Sequence, residues 1–346
     1  MSEIIEQKIL EFLNNNQEAS SGEIFQHISA DVSYATVKRI LSKLIEANLL
    51  SKKGQGRSTR YSISPAYELL NHVDLEKYFV KEIDERKIRN SYNFKLIPEV
   101  LSNFGLFTGN EQEQLALLQR SYSLNISQLS ETEYKKELNR LAIDLSWKSS
   151  QIEGNTYSLL ETERLLNEKE TASGKTKEEA IMLLNHKEAI DFIIDKPDYL
   201  LPLSVSKIED IHSILTKDLG VDKGIRKGRV GISGTNYKPL DVEYQISEAL
   251  SDMCKLVKSK SNVFEKALLL LVMISYIQPF VDGNKRTARI VSNAVLMFNQ
   301  HCPISFRTVN SVDYKKAMLL FYEQNNISGI KKIFIDQFRF AVNTYF

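Results

Sequence analysis

The sequence predicts a mainly α-helical protein preceded by a small mixed α+β domain. Three observations support this prediction. Apolar residues recur every three to four positions through most of the 346-residue chain, as in amphipathic helices. Residues 49–63 form two short strand-like runs around a basic turn that contains glycine, and residues 226–240 alternate as in a second hairpin. We expect an N-terminal domain over residues 1–65, a linker helix over 66–100 and a helical domain over 101–346.

Composition limits the classes of partner and compartment. The 45 basic and 44 acidic residues nearly cancel, so any preference for nucleic acid must come from a local patch. Cys254 and Cys302 show no metal-ligand spacing and suit a reducing compartment. The first residues lack the pattern of a secretion signal, and the apolar run 264–277 is too short to span a bilayer. The sequence predicts a cytoplasmic protein with no membrane partner, and it leaves open whether the chain forms a homodimer.

The N-terminal domain combines three helical patterns with the basic hairpin. Residues 4–13 carry one apolar face, a second short helix starts at residues 20–23, and Ser33 is placed to cap a third. This order resembles a winged helix-turn-helix domain, which implies that the third helix and the wing contact DNA. The basic residues that would make those contacts are Lys38, Arg39, Lys43, Arg57 and Arg60. A docking role toward protein is the alternative.

The remaining helices follow from apolar spacing. Helical patterns cover residues 111–124, 131–147, 178–194, 204–215, 267–277, 290–298, 311–322 and 330–345, and a shorter one restarts at 156–163. The polar segment 169–177 is typical of a connection. His186 and His212 lie within amphipathic runs, so we expect structural roles for both.

A polar loop at residues 278–289 separates two apolar helical runs, a position where packing alone does not explain polar side chains. Asp282 is a hard oxygen ligand suited to Mg²⁺. Residues 283–284 can present backbone N–H groups to an anion at a helix start. Arg286 and Arg289 supply forked donors that match phosphate oxygens. The loop therefore predicts a phosphate site, against the alternative of a helix start with solvated arginines.

The same loop resembles the signature of the Fic family, H-x-F-x-D/E-G-N-x-R-x-x-R. The matched residues are Phe280, Asp282, Gly283, Asn284, Arg286 and Arg289. The resemblance implies transfer of AMP from ATP to a Ser, Thr or Tyr hydroxyl of a target protein, with Mg²⁺ held by Asp282. The implied nucleotide-binding residues are Gly283, Asn284, Lys285, Arg286 and Arg289, and the implied catalytic residues are Gln278, Asn284 and Arg286. Gln278 replaces the family's histidine base, and an amide cannot accept a proton at neutral pH.

A second motif lies upstream, where Gly154 follows a helical pattern as a stop signal. Glu153 then falls in the last helical turn, where a carboxylate is unfavourable unless a partner compensates it. The segment 149–154 resembles the Fic inhibitory motif, S/T-x-x-x-E-G/N, at Ser149, Glu153 and Gly154. The resemblance implies that Glu153 pairs with Arg289 and blocks the productive γ-phosphate position. A solvated surface glutamate is the alternative.

Residues 226–240 resemble the Fic flap, which pairs with the target backbone by strand addition. The resemblance implies that Ile232, Gly234 and Tyr237 contact the target, whereas a merely structural hairpin is the alternative. Three functions remain open for the chain. The first is a slow, self-inhibited adenylyltransferase. The second is a DNA-binding regulator that senses a nucleotide without transferring it. The third is the reverse hydrolysis, with Glu153 activating water.

Overall fold

The computed structural model describes residues 2–28 and 32–346, except for the side chains of Ser2, Glu3 and Arg57. The N-terminal domain contains helices α1 (Ser2–Asn15), α2 (Ser21–Ile28) and α3 (Tyr34–Glu46), followed by strands β1 (Leu50–Lys53) and β2 (Arg60–Ile63). The strands pair antiparallel, with Leu50 opposite Ile63. The predicted mixed α+β domain is confirmed.

The sequence of α3 explains both its start and its orientation. The Ser33 hydroxyl accepts a hydrogen bond from the Thr36 N–H at 3.2 Å, which satisfies one of the free donors of the first turn. The apolar residues Val37, Ile40, Leu41 and Leu44 are buried. They pack with apolar residues of α1 and α2 into a core separate from that of the helical domain.

The connecting segment differs from the single linker helix predicted over residues 66–100. It consists of the short helices α4 (Tyr67–Leu70) and α5 (Leu75–Phe79), a 3₁₀ turn at Ile83–Glu85 and a π-helical turn at Leu96–Leu101. Its apolar residues are too irregularly spaced to form one helical stripe, and they are buried piecewise in the core of the helical domain. The segment is therefore an integral layer of that domain.

The helical domain follows. Its helices are α6 (Gly109–Ile126), α7 (Glu131–Ile152), α8 (Leu159–Glu168), α9 (Lys177–Asp195), α10 (Val205–Leu215), α11 (Glu243–Ser259), α12 (Val263–Ile277), α13 (Asn284–Phe298), α14 (Ser311–Gln324) and α15 (Ser328–Tyr345). The helix α11 was not predicted. The others begin and end within a few residues of the predicted patterns.

The centre of the domain is the pair α12 and α13. Every residue from Ala267 to Ile277 is buried, which explains why this run is apolar on all sides. The helix α12 ends at Gln278, which has φ of +52°, and α13 begins after Gly283. The polar loop between them therefore lies at one end of the most buried pair of helices.

The flap, residues 226–240, differs from the predicted hairpin. The structure has no strand in this range, and one isolated backbone bridge joins Lys238 to Ser91. A two-stranded ribbon with three internal glycines is marginal in water. Side chains hold the segment instead: the buried Arg226 donates from Nε to the Gln278 carbonyl at 2.7 Å, and it also contacts the carbonyls of Gly228 and Leu240.

Two smaller predictions concern cysteines and membranes. Cys254 and Cys302 are both buried and unbridged. Among residues 2–28 and 32–346, no helix combines the length and apolar character needed to cross a bilayer.

Candidate functional site

Helix α13 begins at the polar loop with uncapped backbone donors. Gly283 precedes it with φ of +80°, and no side chain caps the first turn. A Cβ at Gly283 would lie 3.3 Å from Thr216 Cγ2 and 3.4 Å from His212 Cδ2, so glycine is required both by conformation and by space. The free N–H groups and the helix dipole favour an anion at this end of α13.

The two signature arginines are buried but not fully satisfied. Arg286 and Arg289 are 1% and 0% exposed. Arg286 Nη2 donates to Asp282 Oδ2 at 2.8 Å, while its Nε and Nη1 atoms have no protein partner. Arg289 Nη1 is likewise without a partner. Buried cationic donors without partners are costly, so the cluster is suited to a bound anion.

Arg289 is held by the end of α7. Its Nε donates to Ser149 Oγ at 2.7 Å, and its Nη2 donates to the Ser149 carbonyl at 3.0 Å and to Glu153 Oε1 at 2.8 Å. Glu153 is the residue that ends α7, and Gly154 follows with φ of +105°. The Ser149–Glu153–Gly154 motif therefore lies directly against the second arginine of the polar loop.

Glu153 has a second cationic partner. Lys285 Nζ lies 3.3 Å from Glu153 Oε2. Burial by itself would raise the pKa of Glu153, but the charges of Arg289 and Lys285 outweigh it and lower the pKa to about 2. The carboxylate is thus ionised at neutral pH and occupies cationic donors that are suited to an anion.

Gln278 is held inside the loop by its own side chain. Its Nε2 donates to the Ser275 carbonyl at 2.6 Å, and its Oε1 accepts from Asn284 Nδ2 at 3.0 Å. Asn284 also bridges the loop, since its Oδ1 accepts from the Phe280 N–H at 2.9 Å. Gln278 and Asn284 therefore brace each other, and Gln278 is only 9% exposed.

His212 supports the loop from behind. Its ring stacks on Phe280 with centroids 3.8 Å apart, and its Nε2 lies 3.0 Å from the Asp282 carbonyl. Burial lowers the pKa of His212 to about 4, so the neutral ring donates from Nε2 to that carbonyl at pH 7. His186 is also buried, and burial lowers its pKa well below the usual range. The burial of both histidines fits the structural roles predicted for them.

A cavity of about 350 Å³ opens above the loop. Its lining includes Glu153, Gln278, Asp282, Gly283, Asn284 and Lys285, together with Gly231, Ile232 and Ser233 of the flap and Lys315, Met318, Leu319 and Tyr322 of α14. The four residues of α14 were not predicted, because helical spacing shows which face of α14 is buried but not which element it faces. The cavity brings together the loop, the end of α7 and the flap.

The predicted flap residues divide between two environments. Ile232 lines the cavity, and Gly234 is exposed with φ of +88°. The structure contradicts the predicted role of Tyr237 in target binding. Tyr237 is 2% exposed, its ring stacks on Tyr276, and its hydroxyl donates to the Tyr276 carbonyl at 3.1 Å. The Tyr237 ring therefore anchors this end of the flap in the core, where the large apolar surface of an aromatic side chain is buried.

Asp282 fits the role of a single protein ligand to Mg²⁺. Its carboxylate is 64% exposed at the cavity. No group of three or more His, Cys, Asp or Glu residues that could hold a metal occurs within the described part of the chain. Mg²⁺ is commonly bound by one or two carboxylates plus substrate phosphates. The residues therefore fit a cation that arrives with a phosphate ligand.

The predicted DNA-contacting residues lie on α3 and the wing. Lys38 and Arg39 are exposed, and the Lys38 Nζ lies 5.0 Å from the centroid of the Tyr34 ring. Lys43 instead pairs with Glu6 at 2.6 Å, and Arg60 pairs with Glu23 at 2.5 Å. The side chain of Arg57 lies outside the described residues. These acidic partners lie on α1 and α2. The sequence prediction counted only the basic residues of α3 and the wing, and it therefore overestimated the positive charge of this surface.

The fold and the loop define a class of protein: a helical domain with an arginine-bearing polar loop, preceded by a small winged-helix-type domain. Family comparison identifies both parts. Residues 202–296 match the Fic/DOC family, and residues 4–87 match the penicillinase repressor family. The chain therefore carries a Fic/DOC domain and an N-terminal winged-helix-type domain. The repressor match extends past residue 65 into the connecting segment.

Relatives with assigned functions resemble about half of the chain. The chain is 30% identical over 175 residues to a protein adenylyltransferase Fic from Nematostella vectensis, which covers 49% of this chain and 40% of that protein. It is 25% identical over 178 residues to the protein adenylyltransferase fic-1 of Caenorhabditis briggsae, which covers 48% of this chain and 34% of that protein. The matches thus span about two fifths or less of these relatives.

Solved structures share the fold. Fic-1 from C. elegans superposes with a TM-score of 0.60 at 19% identity, covering 68% of this chain and 72% of that one. A Fic-domain signalling protein from Bacteroides thetaiotaomicron gives 0.56 at 18% identity, covering 67% and 95%. The predicted mainly helical Fic-type fold is confirmed.

Proposed function

We propose that this protein is a slow, self-restrained protein adenylyltransferase that moves AMP from ATP to a hydroxyl of a target protein. The observation that carries the proposal is the set of unpartnered, buried donors of Arg286 and Arg289 beside the uncapped start of α13. Lys285 lines the cavity whereas the two buried arginines do not, so phosphates would reach the arginine donors once Glu153 moves. The likeness to adenylyltransferases indicates the class of reaction.

Each group of residues at the site has its own role in this proposal. The first-turn N–H groups of α13, with Lys285, Arg286 and Arg289, would bind and orient the phosphates. Asp282 would hold Mg²⁺, which, when bound, neutralises phosphate charge. Gly231, Ile232 and Ser233 would place the target backbone over the cavity. Phosphoryl-type transfer depends mainly on such positioning and charge stabilisation, so a chain without a histidine base retains most of what the reaction needs.

Two features restrain the rate in this proposal. Glu153 occupies Arg289 and Lys285 and would have to move before a γ-phosphate could use them. Gln278 cannot accept the hydroxyl proton, and loss of a general base typically costs about 10²–10⁴-fold. Self-inhibition and slow chemistry are therefore separate effects of separate residues.

The second candidate function is a DNA-binding regulator that senses a nucleotide without transferring it. The braced state of Gln278 favours it, because both ends of this amide are already used within the loop. The hydrolase alternative is disfavoured, since a carboxylate with a pKa of about 2 and two cationic partners is a weak general base at neutral pH.

One experiment separates these functions. Purified protein is titrated with ATP and Mg²⁺ by calorimetry and then incubated with ATP labelled on the α-phosphate and a cell lysate. Binding with slow labelling of protein hydroxyls supports the transferase, and binding with no labelling favours the regulator. Failure to bind ATP overturns both.

A further inference from the structure

The segment at residues 84–91, here called the strap, runs beside the flap. The contacts are Asn236 Nδ2 to Asp84 Oδ1 at 3.1 Å, Arg86 Nη2 to the Gly234 carbonyl at 2.8 Å, the Lys238 N–H to the Asn90 carbonyl at 3.2 Å and the backbone bridge between Ser91 and Lys238. We propose that Arg86 is a positioning residue that fixes the flap over the cavity. The kinetic part of this inference rests on the proposed function, and the structural part does not.

The surroundings of Arg86 make it a rigid bridge. Its side chain is 4% exposed, and its Nη1 lies 3.0 Å from Oε1 of Glu323, whose side chain is fully buried on α14. Tyr78 also donates to Glu323, from its hydroxyl to Oε2 at 2.7 Å. The guanidinium lies over the Phe79 ring, 4.9 Å from its centroid. With the fork fixed on one side by a buried carboxylate, its other arm holds Gly234 at a defined place.

The flap needs such a bridge because it has no strand ladder of its own. Arg226 fixes its base, and Tyr237 anchors its far end in the core. Gly234 lies between these two supports, next to the cavity-lining residues 231–233. Arg86 therefore sets the distance between that part of the flap and α14, which also lines the cavity.

This placement controls where a target hydroxyl can lie. A misplacement of about 1 Å in a reacting group can cost on the order of 100-fold in rate. Arg86 touches neither the loop at residues 278–289 nor any other residue assigned to phosphate binding. We therefore expect it to affect the transfer step and not the affinity for ATP.

The test is Arg86→Lys. An ammonium can still pair with Glu323, but a point charge lacks the second arm of the fork that holds Gly234. The matched control is Arg89→Lys on the same strap, whose guanidinium pairs with the exposed Glu68. A nitroxide on Ser233→Cys reports flap motion, since Cys254 and Cys302 are buried. Arg86→Lys should increase nitroxide mobility, and Arg89→Lys should not.

A second pair of variants tests the contact between strap and flap without altering the buried Arg86–Glu323 pair. Asp84→Ala and Asn236→Ala remove an exposed strap–flap hydrogen bond. Each should increase nitroxide mobility in the same direction, even if Arg86→Lys proves unstable. Unchanged mobility in a folded Arg86→Lys variant overturns the proposal; where Arg86→Lys does not fold, unchanged mobility in both Asp84→Ala and Asn236→Ala overturns it.

The kinetic measurement uses the Glu153→Gly background, so that the Glu153–Arg289 pair does not limit the rate. There, Arg86→Lys should lower the transfer rate by about ten- to a hundredfold while the affinity for ATP and Mg²⁺ changes less than about twofold. A mobile flap with an unchanged transfer rate overturns the positioning role. If no variant binds ATP, the proposed function fails, and the nitroxide measurement still decides whether Arg86 holds the flap.

Discussion

Arg289 Nη2 lies 2.8 Å from Glu153 Oε1, across the junction between the end of α7 and the first turns of α13. The arginine is fully buried and the glutamate is about one fifth exposed, so the pair is held on one side and open to the cavity on the other. A buried charge is destabilised when its partner is removed, unless another charge replaces it. The phosphates of a nucleotide are the natural replacement, and this defines the first prediction.

Glu153→Gly should raise the affinity for ATP and the rate of label transfer. The change frees Arg289 Nη2 and Lys285 for phosphate oxygens, and position 153 at the end of α7 tolerates glycine. Calorimetry and labelling with [α-³²P]ATP measure the two effects. Glu168→Gly is the control, since Glu168 is the last residue of α8 and pairs with the exposed Arg164. Identical binding and labelling in wild type and Glu153→Gly would show that Glu153 is no clamp.

The stability that Glu153 contributes should depend on pH in one direction. Its pKa is lowered from an ordinary value of 4.5 to about 2, so the ionised form is favoured in the folded state. The stabilisation is complete above about pH 4.5 and is lost as pH falls toward 2; its full size is about 3 kcal/mol as an order of magnitude. Urea denaturation of wild type and Glu153→Gln should give a difference in unfolding free energy that shrinks below pH 4.5. A constant difference from pH 7 to pH 3 would contradict the assignment.

Asp282→Asn should uncouple ATP binding from Mg²⁺. The carboxylate is 64% exposed but its partner Arg286 is buried, so its loss should destabilise the fold, and urea denaturation checks that the variant stays folded. An amide oxygen is a weaker Mg²⁺ ligand than a carboxylate. In wild type, removing Mg²⁺ with EDTA should weaken ATP binding, and in Asp282→Asn the two conditions should differ little. Equal Mg²⁺ dependence in both proteins would exclude Asp282 as the ligand.

DNA binding should depend more on the free basic residues than on the paired ones. Lys38→Ala with Arg39→Ala should weaken duplex binding and lower the salt slope by about 2, because each lost phosphate contact removes close to one released counterion. Lys43→Ala should have a smaller effect, since Lys43 already pairs with Glu6. Lys8→Ala on α1 serves as the control. If the double variant keeps the salt slope of wild type, the domain docks on protein and not on DNA.

Local patterns predicted the elements that depend on neighbours in sequence. The helix α12 is almost wholly apolar from Ala267 onward, α13 starts after a glycine, and Glu153 ends α7 before Gly154, so spacing and stop signals sufficed. The Ser33 cap of α3 follows from the same local chemistry.

Features that depend on distant contacts could not be predicted in this way. Arg86 pairs with Glu323 on α14, more than 200 positions away, and nothing in either local pattern indicates the partner. The predicted hairpin is absent from the flap for a related reason. Apolar and polar residues do alternate there, but Arg226 and Tyr237 bond the flap to the core, and its two halves do not pair as strands. The burial of Tyr237 depends on its contact with Tyr276 of α12, which the sequence pattern does not show. The prediction that Tyr237 contacts the target was therefore wrong.

Gln278 has a left-handed backbone that histidine can also adopt, but its side chain makes the hydrogen bonds of a structural residue. Its φ of +52° is a left-handed conformation in which histidine, like asparagine, is enriched among non-glycine residues. Its amide, however, donates to Ser275 and accepts from Asn284. A histidine at this position would retain the backbone geometry, release Asn284 and place an ionisable ring nitrogen at the cavity.

The last prediction follows from this difference. Gln278→His combined with Glu153→Gly should accelerate labelling of protein hydroxyls by about two orders of magnitude or more over wild type, since a general base contributes roughly 10²–10⁴-fold. Gln278→Asn is the matched control, because it keeps an amide and tolerates the same φ. The rate of the histidine variant should also rise with pH as the ring loses its proton, with a midpoint below the free-histidine value of about 6.5 because position 278 is buried, whereas Gln278→Asn should show no such rise. A double variant that binds ATP with Mg²⁺ yet labels no faster than wild type would exclude a missing base as the defect, and the nucleotide-sensing regulator would then be the better account of why Arg286 and Arg289 keep their unpaired donors.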